Sequence, residues 1–108
     1  MGALVVLTTF PDKKTAESIL KTLVEERLSA CAQIVGEIKS FYWWKGKVEE
    51  GKEYLSILKT AEKAYPELER RLAELHPYEV PQIVALPASA VFAPYLKWLE
   101  EELSLIHI

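Results

Sequence analysis

Apolar and polar side chains alternate for longest between Ala30 and Thr60. Ahead of the cluster Phe41-Tyr42-Trp43-Trp44 and running into it, Ala30, Ala32, Ile34, Ile38, Tyr42 and Trp44 share one parity, against Gln33, Glu37 and Lys39 on the other. Beyond the cluster, Glu53, Leu55, Ile57 and Lys59 share one parity and Tyr54, Ser56 and Leu58 the other. A period of two marks a strand. Lys45-Gly46-Lys47 supplies a turn in which glycine reaches φ > 0 without steric cost. The stretch is predicted to be one long β-hairpin with the aromatic cluster at its tip.

Other spacings flank it. Ala3 to Thr9 is a nearly continuous apolar run, as in a central strand buried on both faces. Asp12 suits an N-cap, and Ala16, Ile19, Leu20, Leu23 and Val24 follow at helical spacing, predicting a helix that ends near Arg27. A second helix starts near Ala64 or Tyr65, since Pro66 is tolerated only in a first turn. Its stripe is Leu68, Leu72 and Leu75, and it stops at His76-Pro77, because a residue before proline is pushed out of the α region. Gln82 to Leu86 reads as a fourth strand, and a last helix begins around Ala93-Pro94. The apolar tail Leu105 to Ile108 is expected to dock extended, on a sheet edge or a neighbouring subunit.

The order β-α-β-β-α-β plus a terminal helix predicts an α+β, ferredoxin-like sandwich with both crossover helices on one face. Residues 1–108 form a single domain on this reading. Hairpin length adds a constraint. An arm of about 14 residues spans roughly 46 Å, whereas a compact domain of this size is only about 34 Å across. The tip therefore overhangs, carrying Phe41, Tyr42, Trp43 and Trp44. A projecting two-stranded ribbon is marginal alone in water, and exposed aromatic surface on an open edge invites association. The remedy is a neighbouring copy of the same chain.

Composition narrows the partners. Thirteen basic against sixteen acidic residues give a net charge of −3 with the signs interspersed, which argues against nucleic acid. No apolar run approaches the ~20 residues of a membrane span, and Met1 to Leu7 lacks the basic start of a signal peptide. A lone cysteine forms no intrachain disulfide and suits a reducing, cytoplasmic setting.

Chemistry is sparse. No phosphate loop, metal-protease helix or nucleophile elbow is present, and the chain has only His76 and His107 as imidazoles. The expectation is a protein that is not an enzyme and requires no cofactor. Cys31 reads as a small core residue, with a ligand or reactive thiol as the alternative. His76 reads as a helix stop, with a ligand imidazole held on a rigid loop as its alternative. The aromatic cluster reads as a subunit-packing patch in preference to a base-stacking platform, because no basic groove accompanies it.

Several motifs then coincide. Val6-Leu7-Thr8-Thr9 followed by Pro11-Asp12, and Leu28-Ser29-Ala30-Cys31-Ala32, resemble the opening of the CutA family of divalent-cation tolerance proteins. Ser40, Tyr42, Trp44 and Gly46 at their spacing, Glu53 with Lys59-Thr60, His76-Pro77-Tyr78, Val80-Pro81 and Tyr95-Leu96 with Trp98-Leu99 continue the resemblance. It covers nearly the whole chain, Leu105 to Ile108 excepted. The resemblance implies a homotrimer joined through the long hairpin, with no established catalytic activity. It also implies a role in tolerance of copper, Cu(II), and other divalent cations, in the cytoplasm. It further implies that Glu53, Lys59, Tyr78 and Trp98 line an inter-subunit cleft. Copper-binding relatives offer a thiol and two adjacent histidines where this chain has Thr8, Leu75 and His76. The alternative is a PII-like trimeric sensor, binding a small anionic metabolite in the same cleft with Lys59 as its charge partner.

Overall fold

A computed structural model describes residues 2–103; Met1 and residues 104–108, which include the tail Leu105 to Ile108, lie outside the described residues. Its elements are β1 (Ala3–Phe10), α1 (Lys13–Glu25), β2 (Cys31–Trp44), β3 (Lys47–Ala61), α2 (Tyr65–Leu75), β4 (Val84–Pro87) and α3 (Ala93–Glu102). The strands form one antiparallel sheet in the order β2-β3-β1-β4. This is the predicted α+β, ferredoxin-like arrangement. The fourth strand is shorter than Gln82 to Leu86 and runs one residue further, into Pro87. A proline fits there because β4 is an edge strand with one side free of ladder bonds.

Helix α1 starts where Asp12 caps it. The Thr15 amide donates to Asp12 Oδ1 at 2.7 Å and the Thr15 hydroxyl to Oδ2 at 3.0 Å, and these bonds hold the Asp12 carboxyl below its ordinary pKa. Ala16, Ile19, Leu20 and Leu23 of α1 join Leu68 and Leu72 of α2 over Val6, Phe10 and Leu58 of the sheet. Both crossover helices thus cover one face, and each fully buried Leu or Phe there contributes about 1.5–3 kcal/mol.

The other face is covered unevenly. At one end Leu99 of α3 and Leu103 pack with Ala3 and Ala61. Beyond that cap, cross-strand register aligns Val84, Leu7 and Ile57, and beside them Leu86, Val5 and Lys59. Val84 and Leu86 are 44% and 47% exposed. The prediction that β1 is buried on both faces holds only in part: Val6 and Thr8 are buried on the helix side and Ala3 and Thr9 on the other, but Leu4, Val5 and Leu7 are only half-buried.

The hairpin turns on Lys45-Gly46, with φ of 50° and 80°, the double positive φ of a tight two-residue loop. One expectation along it is corrected. Ile34 pairs with Ser56 and Gly36 with Leu55, so Val35 is an extra residue, a β-bulge. Gly36 sits at φ 141°, a conformation that side chains disfavour. An extra residue inverts the alternation beyond it. Ile38, Tyr42 and Trp44 therefore share a face with Glu53 and Lys59, opposite Ala32 and Ile34. The ribbon makes the subunit 45 Å long against 25 and 22 Å in the other directions, in line with the expected overhang.

Candidate functional site

The turned face converges where the hairpin passes the end of β1. Glu53 of β3 reaches Thr9 of β1, whose hydroxyl donates to Glu53 Oε2 at 3.0 Å. Tyr78, on the loop after α2, donates its hydroxyl to the same oxygen at 2.8 Å. Burial, then the adjacent Glu53 carboxylate, raise the Tyr78 pKa well above its ordinary value, so this hydroxyl remains a donor at any physiological pH. Above the trio opens a cleft of about 710 Å³, walled by the aromatic tip on one side and Tyr78 to Gln82 on the other.

His76 sets the position of that loop. It caps α2 with an extended backbone, and its ring stacks on Phe10 at 4.7 Å and 12°. Nε2 lies 2.9 Å from the Thr9 carbonyl, and the Tyr78 amide donates to Nδ1 at 3.2 Å. A carbonyl only accepts and an amide N–H only donates, so the proton is on Nε2 and the imidazole is neutral. Burial lowers its pKa, opposed by the Thr9 carbonyl and by Glu53. Thr9 and the bracing role of His76 are not legible in the sequence. The faint signal is a threonine pair closing an otherwise apolar strand.

The remaining predicted residues gather elsewhere. Lys59 Nζ donates to Gln33 Oε1 at 2.7 Å. Cys31 Sγ lies 3.3 Å from the Tyr95 hydroxyl, and Tyr95 packs on Trp98 at 5.4 Å between ring centroids. Glu53 and Lys59 are on one face of one strand, six residues and roughly 20 Å apart. One subunit therefore brings Glu53 to Tyr78 and Trp98 towards Cys31, without joining the two groups. Phe41 and Trp43 at the tip are 64% and 74% exposed.

The profile of the family described as CutA1 divalent ion tolerance protein matches residues 4–102. The chain belongs to that family. The divalent-cation tolerance protein CutA of Pyrococcus horikoshii is 52% identical over 99 residues, 92% of this chain and 96% of the relative. The solved CutA1 of Thermus thermophilus superposes with a TM-score of 0.89 at 48% identity, covering 93% of this chain and 97% of that one. A structure from Archaeoglobus fulgidus, described as a periplasmic divalent cation tolerance protein CutA, gives 0.90 at 35% identity, covering 94% and 98%.

The thiol and two adjacent histidines expected of a copper site are not found at the corresponding positions of this chain. Thr8 presents a hydroxyl, Leu75 no donor, and both ring nitrogens of His76 are engaged. Among the described residues no three His, Cys, Asp or Glu converge on a point, and none of the described helices is long and apolar enough to cross a membrane.

Proposed function

We propose that the chain is a non-enzymatic, cytoplasmic homotrimer acting in divalent-cation tolerance, and that its working cleft is completed between subunits. The observation that carries the reading is the half-covered sheet face. Val5, Leu7, Ile57, Val84 and Leu86 form an apolar patch there, and Glu53, Lys59 and Cys31 lie on that same face. A neighbour seated on it would bury the patch and bring the Glu53 group of one subunit near the Lys59 and Trp98 group of another. Divalent cations, Cu(II) among them, are then cargo met by oxygen donors, Glu53 foremost.

The PII-like alternative needs a countercharge for an anionic metabolite. Lys59 is the one proposed, and it would reach the Glu53 cleft only from a neighbouring subunit. Titration calorimetry with copper(II) chloride and with ATP separates the two. Heat from copper alone supports the tolerance reading, and saturable binding of ATP alone overturns it in favour of the sensor.

A further inference from the structure

The buried ring of His76 is fixed on one side and bonded to a movable group on the other. Towards β1 it stacks on Phe10 at 4.7 Å, with Nε2 2.9 Å from the Thr9 carbonyl and 3.4 Å from the Thr8 hydroxyl. Towards its own loop, Nδ1 accepts the Tyr78 amide at 3.2 Å. Only Pro77 separates the two residues. Its ring locks φ, so few torsions are left to turn the Tyr78 amide aside while Tyr78 stays in place. The Tyr78 hydroxyl in turn donates to Glu53 Oε2 at 2.8 Å. A chain of contacts therefore runs from a buried imidazole to a carboxylate of the long hairpin, all of it inside one subunit.

Nδ1 accepts only while it carries no proton. Taking one from solvent makes it a donor that faces another donor, the Tyr78 N–H. The ring cannot easily turn, because its stacking on Phe10 and its Nε2–H bond to Thr9 are kept in either protonation state. The amide is the side that gives way. The surroundings set the pH at which this happens. From β1 come Thr8, Thr9 and Phe10, side chains without charge. From β3 comes Glu53, whose charge favours the imidazolium that burial disfavours. From the loop comes Tyr78, a neutral phenol at physiological pH, and it is this phenol that Tyr42 of β2 and Asp12 at the head of α1 act upon. In the proposed assembly Lys59 of a neighbour would stand near Glu53 and move the transition to lower pH without changing its order of events.

We infer that His76 is a proton-operated latch: protonating Nδ1 releases the Tyr78 amide, loosens the loop after α2 and draws the Tyr78 hydroxyl away from Glu53 Oε2. At neutral pH Thr9 and Tyr78 hold that oxygen together. Once the latch opens, Thr9 holds it alone. His76 is a positioning residue, acting on Glu53 through Tyr78. The latch itself needs neither a cation nor a neighbour; that it would make cation binding depend on pH rests on the proposed function, in which Glu53 is the foremost donor.

The test follows the full chain by NMR, without added metal, from pH 8 to pH 5, a range within about two units of the unperturbed histidine pKa. Heavy nitrogen reports the His76 ring and the Tyr78 amide, and heavy carbon in the tyrosine rings reports the Tyr78 hydroxyl, whose signal Tyr78→Phe identifies. The expected result is one midpoint, below about pH 6.5, shared by the His76 ring nitrogens, the Tyr78 amide and the Tyr78 ring. Protection of the Tyr78 amide against exchange, corrected for pH, should fall about three- to tenfold across it, the weight of one net hydrogen bond. His76→Gln should remove the step at Tyr78. A purely structural brace would show no such shared midpoint. Three outcomes overturn the inference: a His76 titration to which the Tyr78 amide does not respond, a Tyr78 step that persists in His76→Gln, or no His76 titration before the fold is lost. Should His76→Gln fail to fold, the midpoints in the unaltered protein decide alone. Light scattering on the same samples reports mass, and a mass other than that of a trimer contradicts the proposed function and not the latch.

Discussion

Tyr78 and Glu53, 25 positions apart, are joined by a 2.8 Å hydrogen bond that ties the loop after α2 to the long hairpin. It is the shorter of the two bonds that Glu53 Oε2 accepts, the other coming from Thr9. Three separate segments therefore meet on one oxygen. Tyr78→Phe removes a hydrogen bond to a charged acceptor without opening a cavity. A loss of about 1–2 kcal/mol in urea unfolding is expected, with the secondary structure unchanged by circular dichroism. An unchanged midpoint would mean that the loop is held without this bond.

His76 gives a pH dependence with a definite sign. Burial holds its folded pKa below the ordinary 6.5, so the folded state binds fewer protons than the unfolded chain near that pH. The stability it contributes is complete above about pH 6.5, the unfolded value, and is lost as the pH falls towards the lowered folded value. Protonating Nδ1 would set its proton against the Tyr78 amide. Melting followed from pH 8 down to pH 5 (both within about two units of the unfolded pKa) should show this decline, and His76→Gln should flatten it. A wild-type melting temperature that rises on acidification would contradict the neutral assignment.

Much of the fold was legible because each helix carries its own stripe and each strand its own alternation. Ala16, Ile19, Leu20 and Leu23 announce α1 locally, and all four are buried where the stripe puts them. The bulge was not legible. Val35-Gly36 sits inside a run whose alternation continues on both sides, so parity alone carries the same face through to Trp44. Only the mismatch of β2 against β3 reveals the extra residue. Glu53 and Tyr78 stood out through their family pattern. Their joint oxygen and the bracing by His76 depend on contacts across tens of residues, which no local spacing encodes.

The bulge yields the third prediction. Deleting Val35 restores a regular ladder and turns Tyr42 and Trp44 away from Glu53. The variant should retain helical circular dichroism but form a weaker assembly. Gly36→Val, which places a branched side chain at φ 141°, should cost about 1–3 kcal/mol. If the deletion leaves assembly and cleft intact, the tip does not depend on its face.

Assembly can also be probed at one side chain. Trp44 is 39% exposed in the isolated subunit. Once covered by a neighbour it is expected to behave as a buried aromatic, so Trp44→Ala should cost about 3–5 kcal/mol per site in the assembled protein. Chemical unfolding monitored at several protein concentrations reads this, because the stability of an assembly depends on concentration.

The central claim is that the half-covered face bearing Val84 and Leu86 is closed by other copies of the same chain. Its most direct test is the mass in dilute solution by light scattering coupled to size-exclusion chromatography. The expected result is a single species at three times the 12.3 kDa chain mass, with no folded monomer on dilution. A stable, folded species at 12.3 kDa would contradict it.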